Sequence, residues 1–160
     1  AFLLHKVKLL STTQFKNSFL IYLYAKSSEE LKILVSEFWD KAPEEDFNTD
    51  VNSLIAEFLL KEEVSLVCLT ASPDFMFKSE LKRFKMDHLL ATVTKFNKKR
   101  HSIIGLNCRG LQKKIRLEEL FGKEVSVEMA VSDNEDDVYL LKEAVLGYKV
   151  LKNKIISIND

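Results

Sequence analysis

Residues 64–73, VSLVCLTASP, decide the fold class of this chain. The first six form a short apolar run bounded by polar residues, which is the pattern of a buried strand. Ser72 can cap a helix whose first position is Pro73, so we predict a helix over residues 75–84. A buried strand that leads through a polar turn into a helix is typical of an α/β fold.

The pattern recurs further along the chain. Residues 125–131 predict a second buried strand, which ends at Ser132-Asp133-Asn134 and leads into a helix over 135–145. The remaining predicted elements are strands at 89–95 and 102–106 joined by a polar turn at 97–100, a helix at 109–121 that stops at Gly122, and short strands near 148–151 and 155–158. Because ligands bind at the carboxyl ends of parallel strands, we expect the two polar turns to lie at one edge of the sheet.

The first sixty residues instead predict helices. Apolar side chains recur at helical spacing, and Ser27 with Glu30 forms a capping box. Asp50 is the predicted cap of the next helix, after an acidic loop at 42–49. We therefore predict a small helical domain at 1–62, followed by an α/β core at 63–160.

Composition narrows the function classes. The chain has 160 residues, 46% of them apolar, with 24 basic and 24 acidic residues, so it can bury a core and carries no net charge. A balanced charge disfavours general nucleic-acid binding. The longest strongly apolar stretch, residues 19–25, is too short for a membrane span. Cys68 and Cys108 lack Cys-x-x-Cys spacing, which favours a reducing, cytoplasmic compartment.

Two stretches could bind an anion. At residues 70–72, the Thr70 hydroxyl and the backbone N–H groups that follow could hold a phosphate at a helix N-terminus, or Ser72 could simply cap the helix. Further along, Lys113 lies just inside a predicted helix after Gly110 and could place its ammonium over a phosphate, although most helical lysines are solvated.

A third stretch could bind a cation. Asp133 leaves a buried strand, and Asp137 follows four residues later. Carboxylate oxygens suit Mg²⁺, which takes one or two carboxylates and keeps several waters. The alternative is that Asp133 is an N-cap and that the acidic residues after it complement the helix dipole.

The order and spacing of these stretches resemble the haloacid dehalogenase (HAD) superfamily of phosphatases, in particular the subgroup that contains phosphoserine phosphatase. The residues that carry the resemblance are Thr70–Pro73 (TASP), His88–Thr92 (HLLAT), Gly105–Gly110 (GLNCRG), Lys113, Arg116-Leu117, Asp133, Asp137 and Leu140-Leu141. Together they cover roughly residues 64–150. The resemblance implies a Rossmann-like core with a parallel sheet and identifies the preceding helices as a small cap.

The resemblance also implies a reaction and its residues. It implies Mg²⁺-dependent hydrolysis of a small phosphomonoester through an aspartyl-phosphate. Thr70 and Ala71 would bind the phosphate, and Lys113 would neutralise the phosphate and the nucleophilic carboxylate. Asp133 would ligate the metal directly, while Asp137 would support the metal shell or Lys113.

One departure from the family pattern is serious. The motif Asp-x-Asp-x-Thr, which supplies the nucleophile and the acid/base in this family, does not occur in the chain, and residues 46–50 (DFNTD) have the wrong spacing. We expect it upstream of Ala1. If it does not exist, the chain is a non-catalytic relative that binds a phosphorylated ligand or a protein. A phosphotransferase, in which an acceptor other than water attacks the aspartyl-phosphate, is a third possibility.

Overall fold

The computed structural model describes residues 11–61, 63–152 and 154–159. Its helices are α1 (Thr12–Leu20), α2 (Ser28–Asp40), α3 (Thr49–Phe58), α4 (Leu111–Phe121) and α5 (Val138–Glu143). Its strands are β1 (Val67–Pro73), β2 (His88–Thr92), β3 (Thr94–Asn97), β4 (Arg100–Ile103), β5 (Met129–Ser132), β6 (Leu146–Leu151) and β7 (Lys154–Ser157).

The chain divides into two compact units. One unit comprises 1–41 and 66–112, and the other comprises 42–65 and 113–160. The first ten residues of the predicted cap lie outside the described residues. The predicted boundary between a cap and a core at residue 62 stays a prediction.

Capping boxes start α1 and α2. The Ser27 hydroxyl accepts from the Glu30 N–H and the Glu30 carboxylate accepts from the Ser27 N–H, which confirms the predicted start of α2. Ser11 and Gln14 form the same arrangement at α1. Each box satisfies two backbone N–H groups that a helix start otherwise leaves unpaired.

Two parallel strands form the centre of the first unit. β1 pairs with β2 in parallel, with Leu69 opposite Leu90 and Thr70 opposite Ala91. β3 and β4 form an antiparallel hairpin, so the strand predicted at 89–95 is in fact two strands. The hairpin turns at Lys98 and Lys99, both with positive φ, as the polar turn predicted.

The helix predicted over residues 75–84 is wrong. A single 3-10 turn at Asp74–Met76 is followed by irregular turns, and Phe77 leaves the helical region with φ −125°. Asp74 explains the difference, because its carboxylate accepts from the Thr94 N–H at 3.0 Å and the Thr94 hydroxyl at 2.5 Å. These bonds tie the segment to β3 at the point where a helix would start.

Aromatic packing holds the same segment against α2. Trp39 packs edge-on against Phe84 at 4.9 Å between ring centroids and lies 5.5 Å from Phe77. Its indole N–H donates to the Met76 carbonyl at 2.9 Å. Trp39 thus satisfies its one polar group while it buries its ring, which fixes the irregular backbone on the helix.

A three-stranded sheet forms the centre of the second unit. β5 pairs with β6 in parallel, and β6 pairs with β7 antiparallel. α4 ends at Phe121, and Gly122 has φ +95°, as predicted. The predicted Asp50 cap is wrong, because the Asn48 side chain accepts from the Val51 N–H and Asp50 lies in the first turn of α3.

The single helix predicted at 135–145 is a 3-10 turn, Glu135–Asp137, followed by the short α5.

The buried apolar residues in the described ranges are Leu20, Leu31, Val35, Phe58, Ala91, Ile103, Cys108, Leu117, Ala130, Leu140, Leu141 and Ala144. The parallel pairs β1–β2 and β5–β6, in a chain that also forms α-helices, confirm the α/β class. None of the helices in the described ranges is both long and apolar enough to cross a bilayer.

Gly147 of β6 tests the packing of the second unit. A Cβ at this position would lie 2.1 Å from the Leu141 carbonyl oxygen, a backbone atom that cannot move without disturbing the end of α5. We expect Gly147→Ala to lower the free energy of unfolding by about 3 kcal/mol, measured by urea denaturation. Gly122→Ala is the control, because a Cβ there meets no atom within 4 Å and only the positive φ opposes it, at about 1 kcal/mol. Equal losses for the two variants would contradict the expected clash.

Candidate functional site

A buried ion pair joins α4 to the end of β5 in the second unit. Lys113 Nζ lies 2.5 Å from Asp137 Oδ2, and the two side chains are 11% and 3% exposed. The Ser132 hydroxyl donates to the same carboxylate oxygen at 2.7 Å. Lys113 is positioned by Gly110, whose positive φ (+52°) turns the chain into α4. The structure therefore brings together two of the predicted site residues, Lys113 and Asp137.

The second oxygen of Asp137 is buried without a partner. Within the described part of the chain, Oδ1 makes no hydrogen bond although it is shielded from solvent. A buried carboxylate oxygen usually accepts at least one hydrogen bond, from protein or from ordered water. In the cluster of Lys113, Ser132 and Asp137, the Oδ1 atom of Asp137 can therefore accept a hydrogen bond from one further donor.

Asp133 follows β5 and is exposed. Among the described residues, its side chain has no hydrogen-bond or ion-pair partner. The interpretation of Asp133 as an N-cap is wrong, because Asn134 caps the 3-10 turn by accepting from the Asp136 N–H at 3.0 Å. An open carboxylate therefore lies at the carboxyl end of β5, a strand of which Ala130 is buried.

The carboxylate oxygens of Asp133 and Asp137 are of the ligand type that Mg²⁺ accepts in proteins. In the described ranges, no group of three or more His, Cys, Asp or Glu side chains is arranged to hold a metal ion, as a structural zinc site would need. Mg²⁺ needs fewer protein ligands, because it keeps waters and shares substrate phosphate oxygens. Asp133 is exposed, while Asp137 Oδ2 is held by Lys113 and Ser132.

Thr70 and Ala71 lie at the end of β1 in the first unit. The Ser72 N–H donates to Thr70 Oγ1 at 3.1 Å. The predicted Ser72 cap is wrong, because the 3-10 turn that follows has Pro73 at its N-cap position and no side-chain cap. The Ala71 carbonyl accepts from Lys16 Nζ, and the Thr92 hydroxyl lies 2.8 Å from the same oxygen. Side chains from α1 and β2 therefore fix the backbone immediately after Thr70.

Asn107 connects these groups. Its side-chain oxygen lies 2.8 Å from Lys16 Nζ and 2.6 Å from Thr92 Oγ1. Thr92 is fully buried and also accepts from the Cys108 N–H at 3.0 Å. Its one hydroxyl proton can serve either Ala71 or Asn107. We name these five residues (Lys16, Ala71, Thr92, Asn107 and Cys108) the β1-edge network.

The ammonium of Lys16 lies in an unfavourable electrostatic environment. Burial, and after it the positive charge of Arg109, lower the pKa of Lys16 below that of an ordinary lysine, while Cys108 raises it in part. Among the described residues, its hydrogen-bond partners are two uncharged oxygens.

The sequence interpretation assigned no role to Lys16, Thr92 or Asn107. Thr92 and Asn107 lie within the stretches HLLAT and GLNCRG, which carry the family resemblance. Membership of these stretches was the sequence signal that could have identified them as site residues. Lys16 lies between Phe15 and Asn17 on a predicted helix, and nothing in its spacing distinguishes it from a solvated lysine.

Comparison with curated proteins finds partial relatives. No protein-family profile matches the chain. Protein CicA, from two strains of Caulobacter vibrioides, is 32% identical over 93 residues, which are 56% of this chain and 42% of that protein. The chain thus spans less than half the length of the curated relatives it matches.

Solved structures extend the likeness to most of the chain. A protein of unknown function from Bordetella pertussis Tohama I has a TM-score of 0.71 at 21% identity, over 88% of this chain and 66% of that one. A HAD family hydrolase from Salmonella enterica serovar Typhi has a TM-score of 0.67 at 13% identity, over 91% of this chain and 49% of that one. The chain therefore has the HAD-like α/β fold that the sequence predicted.

The Lys113–Asp137 pair predicts a large difference between two adjacent lysines. Lys113→Met would leave a buried carboxylate without its counter-charge, at a cost of about 3–5 kcal/mol. Lys114 pairs with Glu143 at 2.6 Å at the surface, so Lys114→Met should cost less than about 1 kcal/mol. Urea denaturation of both variants measures the difference.

A double variant separates the charge from the packing. Adding Asp137→Leu to Lys113→Met removes the orphaned carboxylate and should recover most of the lost stability. A double variant no more stable than Lys113→Met would show that the loss comes from packing.

Proposed function

We propose that the whole protein is a Mg²⁺-dependent phosphatase that hydrolyses a small phosphomonoester through an aspartyl-phosphate. One observation carries the proposal. In a HAD-like fold, the exposed Asp133 directly follows β5, and Asp137, four residues later, forms a buried ion pair with Lys113 of α4. Strand ends of this type are where α/β folds place their ligands.

The proposal gives Lys113 an electrostatic role. Phosphoryl transfer spreads negative charge over the equatorial oxygens, and a fixed cation stabilises that charge. Asp137 holds the lysine in one position, because its Oδ2 accepts from Lys113 Nζ. The Ser132 hydroxyl donates to the same oxygen and so fixes the carboxylate. Preorganisation of this type avoids reorienting the ammonium during the reaction.

Asp133 is the proposed Mg²⁺ ligand, and Asp137 supports the surrounding shell. When bound, Mg²⁺ would supply positive charge to the phosphate and orient it. The exposed carboxylate of Asp133 has no competing contact within the described residues, which supports its role as a ligand. Asp137 Oδ1 has no partner among the described residues, which supports the presence of a further donor, such as a water, beside this carboxylate.

Thr70 and Ala71 are the proposed phosphate-binding residues of β1. The β1-edge network holds the backbone after Thr70, so that its hydroxyl and the adjacent N–H groups keep one orientation. The helices of the predicted cap, 1–62, would select the substrate. The cytoplasm remains our proposal for the compartment, and it is supported by Cys68 and Cys108 carrying thiols rather than a disulfide.

The decisive measurement is phosphate release from p-nitrophenyl phosphate by the full-length protein, with and without Mg²⁺. We expect release only with Mg²⁺, and a loss of about a hundred- to a thousand-fold in Asp133→Ala. Asp50→Ala is the control, because Asp50 is an exposed aspartate in the first turn of α3 and should leave the rate unchanged.

No release across a broad panel of phosphomonoesters would overturn the phosphatase. Retained binding of those compounds without release would favour the non-catalytic relative. Phosphate transfer to an added alcohol in place of water would favour the phosphotransferase.

A further inference from the structure

We propose that the Lys16 ammonium is an anion-binding group, which donates to an oxygen of the ligand's phosphoryl group beside Thr70. This role rests on the proposed function in one respect, because it requires that Thr70 binds the phosphate. It adds a cation that neither the sequence pattern nor the comparisons assign.

Hydrogen-bond geometry places the ammonium beside Thr70. Lys16 Nζ donates to the carbonyl of Ala71, the next residue after Thr70, and to Asn107 Oδ1 at 2.8 Å. A lysine ammonium has three protons. Two are used by these oxygens, and the third has no acceptor among the described residues. That third proton is the one available to a ligand.

Among the described residues of its unit, Lys16 has no carboxylate within hydrogen-bond distance. Its two partners are a backbone carbonyl and an amide oxygen, whereas other lysines of the chain, such as Lys113 and Lys32, are paired with carboxylates. Burying a charge beside uncharged groups costs free energy unless an opposite charge compensates. A phosphate would provide that compensation.

Arg109 strengthens the preference for an anion. Its positive charge is close enough to lower the pKa of Lys16, so two cations share this region. A purely structural link from α1 to β1 would need only a neutral donor, which avoids the cost of desolvating an ammonium and of cation–cation repulsion. The choice of a lysine here is explained by an anionic ligand.

Phosphate binding tests the inference independently of turnover. Binding of inorganic phosphate to the chain is measured by isothermal titration calorimetry at neutral pH, for the wild type, Lys16→Met and Lys32→Met. Loss of a charged hydrogen bond should weaken binding about 10- to 100-fold in Lys16→Met. Lys32→Met removes an exposed lysine paired with Glu29 and should leave the affinity unchanged.

Two further variants separate charge from structure. Lys16→Gln keeps a donor for the Ala71 carbonyl but loses the charge, and Lys16→Arg keeps the charge. We expect weak binding by the first and near-normal binding by the second. They also keep the test decisive if Lys16→Met fails to fold.

The inference is overturned if Lys16→Gln and Lys16→Arg bind phosphate equally, or if the wild type does not bind it at about ten-millimolar concentration. If phosphate binding depends on Lys16 but the full-length protein hydrolyses no phosphomonoester, the anion-binding role of Lys16 is supported and the proposed phosphatase activity is overturned.

Discussion

The ion pair between Lys113 and Asp137 is the constraint on which the second unit depends. Its 2.5 Å separation and near-complete burial require α4 and the loop after β5 to meet at one point. Gly110 supplies the turn that starts α4, and Ser132 ends β5 in contact with the carboxylate. Removing two charges from water consumes most of their attraction, so a buried pair adds little net stability. Its position beside the end of β5 supports the electrostatic role that we propose for Lys113.

Lys16 and Lys113 represent two ways of burying an ammonium. Lys113 is balanced by a carboxylate, and its charge is neutralised within its own unit. Lys16 is held by uncharged oxygens, and burial lowers its pKa. The first arrangement pairs the ammonium with an opposite charge, whereas the second, within the described part of the chain, pairs it with neutral oxygens. Hydrogen-bond partners, rather than residue type, decide which lysine can still attract an anion.

The sequence predicted those parts of the fold that depend on local signals. The capping box of Ser27, the stop at Gly122 and the turn at Lys98–Lys99 each follow from a few neighbouring residues. The helix predicted at 75–84 failed because Asp74 bonds to Thr94, twenty residues away. Likewise, Asn48 rather than Asp50 caps α3, a choice that local preference leaves open.

The sequence pattern predicted one part of the candidate site. It did not predict the part that forms through contacts between distant segments. The order of residues along the chain placed Lys113 and Asp137 in one site, and the structure brings these two together, while the role of Asp133 stays a prediction. The β1-edge network was not predicted, since Lys16, Thr92 and Asn107 meet only when α1, β2 and the loop before α4 are packed together. Asn107 is the residue that joins all three. Its side-chain oxygen lies 2.8 Å from Lys16 Nζ and 2.6 Å from Thr92 Oγ1, and both of these groups also contact the Ala71 carbonyl. The backbone after Thr70 and the Lys16 ammonium therefore share one set of hydrogen-bond partners, which residues distant in the sequence supply only when the chain is folded.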